Sequence, residues 1–171
     1  MEKEIKIPIV EGELLKYDIG DKIVISGMIY CARDAVLPKV VELVKMGRLG
    51  EDFPGIDFCG SVIFHTAVSP AGVGPTSSNK LEIESSMVPL SREGVKIHLG
   101  KGKISRETID GLNKYGSVYA IIPPITALLG DKTIEKEAVA FSELGMEALY
   151  RLKVDRYPAI VAAAHGRSIY G

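Results

Sequence analysis

The feature that most constrains the fold is an alternation. Between residues 22 and 122, apolar runs with strand spacing (22–29, 62–67, 95–99 and 117–122) take turns with stretches of helical spacing (35–45, 80–92 and 106–115). In the first helical stretch Val36, Val40, Leu43 and Val44 share one face, and Pro38 falls early enough to be accepted in a first turn. The second keeps its spacing despite Pro89 near its end. The third carries Ser105 as an N-cap and Gly116 as a stop signal. A strand pattern at 4–9 precedes this region, and 49–58 reads as a loop. Further strand patterns follow at 134–141, 149–154 and 159–163, with a helical turn at 126–129. Alternation with a strand-rich tail makes the class α/β. No repeat, linker or low-complexity tract interrupts the 171 residues, so residues 1–171 are expected to form a single domain with a sizeable core.

The junctions after the strands carry the chemistry. Gly74-Pro75-Thr76-Ser77-Ser78-Asn79-Lys80-Leu81-Glu82 sets a turn, then three hydroxyl residues, then a cation. Thr76 or Ser77 is placed to cap a helix, with Lys80 about one turn further on. Hydroxyls, free backbone N–H groups and an ammonium at a helix start favour an anion. Gly27-Met28-Ile29-Tyr30-Cys31-Ala32-Arg33-Asp34 ends another strand on an Arg beside an Asp. Gly100-Lys101-Gly102-Lys103-Ile104-Ser105 ends a third on two Lys in a Gly-rich turn. Strand-to-helix junctions are where α/β folds bind small ligands. Arg suits bidentate carboxylate recognition and Lys supplies a point charge. A small dicarboxylate fits this charge pattern, and so does a phosphate. The last motif is not a P-loop, because Lys101 is followed by Gly102 and Gly94 has the wrong spacing.

Composition removes other classes. A net charge of −1 creates no global field for nucleic acid or acidic membranes. The first residues, Met1-Glu2-Lys3-Glu4, are charged and lack a signal-peptide core, and the apolar window 118–129 is too short to span a bilayer and contains Pro123-Pro124. A cytoplasmic protein is expected. Hydrophobic residues make up 46% and the mean hydropathy is +0.16, which permits a buried subunit interface. Cys31 and Cys59 are expected to be reduced thiols. Two cysteines cannot ligate an iron–sulfur cluster alone, and no metal site is expected in the chain.

The Arg33-Asp34-Ala35 step, the Gly74-Pro75-Thr76-Ser77 segment and the Lys101-Gly102-x-x-Ser105 turn appear in the order found in the iron–sulfur hydro-lyases. Phe141-Ser142-Glu143-Leu144-Gly145-Met146-Glu147-Ala148 and Tyr157-Pro158-Ala159-Ile160-Val161 look like that family's closing segments. Nearly the whole chain thus resembles the β subunit, or C-terminal domain, of class I fumarate hydratases and L-tartrate dehydratases. The resemblance implies a swivelling β/β/α domain and reversible hydration of fumarate to (S)-malate, or the dehydration of L-tartrate. It implies a partner α subunit that holds a [4Fe-4S] cluster through three of its own cysteines, within a higher hetero-oligomer. It makes Arg33, Lys80 and Lys101 substrate-carboxylate ligands and Thr76 the catalytic base. A hydroxyl in that role needs nearby cations and a dry site to lower its pKa. The rival from another class is a non-catalytic anion-binding domain that regulates a partner.

The chain departs from the family's pattern at three places. Val36-Leu37-Pro38 occupies a stretch that usually holds a His, Lys80 stands where Arg is usual, and His165 lies where an acidic residue is common. His65 and His98 sit in strand patterns and read as satisfied core or edge residues. Glu143 and Glu147 read as a solvated helix or turn face.

Overall fold

The computed structural model describes residues 2–33, 35–69, 72–74, 80–122 and 132–170, with backbone alone for 67–69, 72–74, 80–83 and 146. Along these residues run β1 (Lys3–Lys6), β2 (Lys22–Ala32), α1 (Leu37–Lys45), α2 (Leu49–Asp52), β3 (Val62–His65), β4 (Ala67–Ser69) and β5 (Gly72–Gly74). There follow α3 (Lys80–Arg92), β6 (Ile97–Gly100), α4 (Arg106–Lys114), β7 (Val118–Ile121), β8 (Thr133–Ala140), β9 (Leu149–Ala164) and β10 (Arg167–Ser168).

Strands β2, β3, β6 and β7 lie side by side and parallel. Parallel neighbours need crossovers, and the helical stretches supply them. The long strand β9 then pairs antiparallel with β7 on one side and with β2 on the other, so the ladder β2–β3–β6–β7–β9 closes on itself. β1 extends β2, β8 pairs the first half of β9, and β4–β5 form a separate hairpin after β3.

Closure divides the apolar residues into layers by strand parity. One set, including Ile25, Ile29, Cys31, Phe64, Leu99, Ala120, Leu152 and Val161, packs as a single buried cluster built from every strand of the ring. The alternate set meets the helices. Tyr30, Ala32 and Ile63 pack with Val36, Leu37 and Val40 at α1 and with Leu90 of α3. Tyr119 and Ala163 pack with Met87 of α3 and with Ile109 and Leu112 of α4. The strand patterns at 22–29 and 62–67 are nearly continuous in apolar residues because both faces are covered.

Several boundaries differ from the sequence reading: the strand read at 4–9 spans only Lys3–Lys6, the one read at 22–29 runs on to Ala32, and the one read at 62–67 stops at His65 before a separate strand from Ala67. The patterns at 149–154 and 159–163 form one strand. Asp155-Arg156-Tyr157-Pro158 looks like a break, but Arg156 takes φ +55, its N–H donates to Ser26 Oγ at 2.9 Å, and the β2–β9 register skips between Ile25 and Gly27. A bulge absorbs the irregularity and the ladder resumes. The loop reading of 49–58 is also too simple. It begins with the one-turn helix α2, whose Asp52 pairs with Arg48 one turn earlier. The expected helical turn at 126–129 lies outside the described residues.

Candidate active site at the carboxyl edge of the sheet

Because β2, β3, β6 and β7 are parallel, the segments that follow them leave the sheet along one edge. Arg33 follows β2 directly, and Lys101 follows β6 directly. With β3 between those two strands, the two cations emerge two strand spacings apart, roughly 10 Å of backbone separation that long side chains readily bridge. α3 also begins on this edge, since it lies between the end of β3 and the start of β6. Its first residue is Lys80. Thr76 and Asp34 lie outside the described residues, as does the side chain of Lys80.

Each described cation is held by specific local structure. In the turn after β6, Gly102 takes φ +82, a conformation that Gly adopts without strain. Tyr119 Oη donates to the Gly102 carbonyl at 3.0 Å. Ser105 caps α4 as expected, accepting from Thr108 N–H at 3.2 Å. Glu84 of α3 accepts from Ser105 N–H and from the Thr108 hydroxyl, both at 2.8 Å, which adds an acid at the α4 N-terminus. Ile104 is buried, while Lys101 projects into solvent. The turn is pinned at three points, and its lysine is left as an exposed point charge.

Arg33 is different. Its side chain is 18% exposed, and its Nη1 pairs with Glu147 Oε1 at 3.2 Å. The β2–β9 pairing places them together. Its register matches Cys31 with Tyr150, so the residues just past Ala32 meet those just before Leu149. The reading of Glu147 as part of a solvated face is therefore corrected. Nothing local in the sequence signals the contact, because it depends on a ladder between distant segments.

The sequence reading of His65 and His98 as core residues is borne out, but His65 is only partly satisfied: its buried Nδ1 has no hydrogen-bond partner among the described residues. His65 Nε2 and His98 Nδ1 share a hydrogen bond of 2.9 Å, and His98 Nε2 lies 2.8 Å from Ser91 Oγ of α3. The three side chains link the end of β3, β6 and α3 beneath the helix layer. His65 stands in register with Ala32, beside the Arg33 junction. Burial pushes the His65 imidazole down to about 3 and the His98 imidazole well below its usual value, so both are neutral in the fold. The unfolded chain protonates both near pH 6.5. The unfolded state then binds more protons than the folded state between about pH 6.5 and 3, so stability is full above that window and falls as pH drops through it. The unfolding free energy of the isolated chain, read from urea melts, should decline between pH 7 and 5, with a slope of up to about 1.4 kcal/mol per pH unit for each histidine. The double variant His65→Asn/His98→Asn should lose that slope whatever its stability at pH 7. An unchanged slope would show that the pair does not titrate in this way.

Other residues singled out in the sequence are buried or lie at the opposite end of the sheet. Val36 and Leu37, where the family usually has a His, are fully buried at the start of α1. His165 follows the far end of β9, on the opposite edge, and its Nε2 lies 2.6 Å from the Tyr17 carbonyl. Cys31 is buried, and its thiol donates to the Thr66 carbonyl at 3.2 Å. Burial raises its pKa far above the usual thiol value. Cys59 is exposed and precedes β3, at the other end of the sheet from Cys31. Two thiols so disposed do not fit an iron–sulfur cluster. Among the described residues no group of three or more His, Cys, Asp or Glu side chains is arranged to hold a metal, and no helix is long and apolar enough to cross a membrane.

Residues 2–171 match the family described as Fumarase C-terminus. The chain belongs to that family. Among relatives, a putative L(+)-tartrate dehydratase subunit beta of Methanocaldococcus jannaschii is 32% identical over 95% of this chain and 88% of the relative. The L(+)-tartrate dehydratase subunit beta of Escherichia coli K12 is 30% identical over 99% of this chain and 87% of the relative. Fumarate hydratase 2 of Leishmania major is 29% identical over 98% of this chain but only 31% of its own length. This Fumarase C-terminus chain therefore spans most of the β subunits it resembles and about a third of that fumarase.

Proposed function

We propose that this chain is the β subunit of a heteromeric iron–sulfur hydro-lyase, and that the assembled enzyme hydrates fumarate reversibly to (S)-malate. The observation that carries the reading is the emergence of Arg33 and Lys101 on one edge of the sheet, in a chain that aligns over nearly its whole length with β subunits. The closed sheet with stacked helices supports a single swivelling β/β/α domain over residues 1–171.

In this reading the chain grips the substrate carboxylate remote from the cluster. Arg33 supplies a planar donor fork, and Lys101 supplies a mobile charge that follows the carboxylate as it binds. Lys80 adds a third cation, and Thr76 moves the proton at the carbon next to the gripped carboxylate. The [4Fe-4S] cluster would reside in an α subunit and supply Lewis-acid chemistry.

L-tartrate is the second reading, favoured by the tartrate dehydratase β subunits that match along most of their length. One experiment tests both. The chain is purified anaerobically with a cysteine-bearing α subunit, and alone after treatment with iron and sulfide. The complex should turn over fumarate, and the isolated chain should show neither cluster absorption nor turnover. Turnover of L-tartrate alone would replace the substrate. A complex that binds dicarboxylates and converts neither would leave an anion-binding module.

A further inference from the structure

The contact between Arg33 and Glu147 has no part in the family pattern of cations. We infer that Glu147 is a positioning residue that fixes the Arg33 guanidinium for the incoming carboxylate. The inference rests on Arg33 being a carboxylate ligand.

Arg33 directly follows β2, its carbonyl accepts from the Val36 and Leu37 N–H groups, and its long side chain has rotamer freedom to lose when the guanidinium is held in one orientation. Its charge is mostly enclosed, at 18% side-chain exposure, so a nearby carboxylate also offsets its desolvation. The contact runs through Nη1, and anchoring one nitrogen of a rigid planar group sets the plane of the whole fork.

The segment that carries Glu147 is built to hold still. The 3-10 segment Ser142–Glu147 starts at Phe141 in the left-handed region (φ 55, ψ 40), and its Gly145 takes φ 61, ψ −121. A side chain disfavours that backbone conformation, although a Cβ there would meet no atom within 4 Å. The Gly145 carbonyl accepts from Ala148 N–H and from Tyr150 Oη, both at 3.1 Å. The Phe141 ring packs on Phe53 with centroids 5.3 Å apart, and Ala148 is buried. Glu147 thus projects from a turn closed on both sides. With the backbone so anchored, the Glu147 carboxylate is presented to Arg33 from a fixed point.

A brace and a competitor predict opposite changes. In the α–β complex, Glu147→Gln keeps the shape and an acceptor oxygen but removes the charge. As a brace, its loss should raise the KM for fumarate by about 5- to 10-fold, on the scale of one partly exposed ion pair, with kcat changed much less. Glu147→Asp should recover part of the loss in KM, and in Glu147→Gln the thermal midpoint should fall slightly, because the enclosed Arg33 charge loses its partner. Because Glu147 acts through Arg33, Arg33→Ala/Glu147→Gln should be no worse than Arg33→Ala. An unchanged or lower KM in Glu147→Gln, or losses that add in the double variant, would overturn the inference while leaving Arg33 a ligand. A near-wild-type Arg33→Ala enzyme would remove the ligand reading and this inference together.

Discussion

Thr76→Val will lower the kcat of the assembled enzyme at least ~100-fold and leave KM nearly unchanged, the signature of a lost proton-transfer group. Val matches Thr in shape and removes the hydroxyl, whereas Thr76→Ser keeps the hydroxyl and should retain a measurable share of turnover. The expectation rests on position in the family motif and on surroundings. A hydroxyl holds its proton far above neutral pH unless cations and a dry site favour its anion. The carboxyl edge brings Arg33 and Lys101 to the face from which α3 starts, a few residues beyond Thr76. The competing role is a helix cap, whose loss costs about 1 kcal/mol of stability and no turnover. Steady-state kinetics paired with thermal melting separates the two. An active, slightly destabilised Thr76→Val enzyme would make Thr76 a cap and move the search for the base to the α subunit.

The second large effect belongs to the cations. Arg33→Ala and Lys101→Ala should each cost roughly 2–4 kcal/mol of transition-state stabilisation, about a 30- to 1,000-fold loss in kcat/KM. The two should differ in other respects. Lys101 is solvent-exposed on a turn secured by Tyr119, Ser105 and Glu84, so its removal should leave the fold untouched. Arg33 is enclosed and ion-paired, so Arg33→Ala also strands Glu147 and should lower the thermal midpoint slightly. Arg33→Lys keeps the charge and loses the fork, and should recover only part of the activity. Near-wild-type kcat/KM in either alanine variant would exclude that residue from the site.

The crossover strands and helices are legible in the sequence because their signals are local. The spacing at α1, the Ser105 cap and the Gly116 stop each act within a turn or two. The junction cations are legible for the same reason: Arg33 and Lys101 each follow a recognisable apolar run. Closure of the ladder is not legible, because β9 bridges β2 and β7 through pairings between distant segments, and the Arg156 bulge disguises it as two strands. What depends on long-range pairing is hidden with it. The Glu147 contact follows from the β2–β9 register, and the His65–His98–Ser91 chain from the β3–β6 pairing beneath α3. His65 and His98 do carry a faint signal, since each stands on the strand face opposite the ring-filling residues Phe64 and Leu99.

The central claim is that this chain grips one substrate carboxylate at the carboxyl edge of its parallel strands. The most direct test is the structure of the anaerobically assembled α–β complex with (S)-malate bound. One carboxylate should lie within hydrogen-bond reach, roughly 2.7–3.2 Å, of both the Arg33 guanidinium and the Lys101 ammonium, with Glu147 still on Arg33 Nη1. Malate held entirely by α-subunit residues, with Arg33 and Lys101 remote from both carboxylates, would contradict the claim.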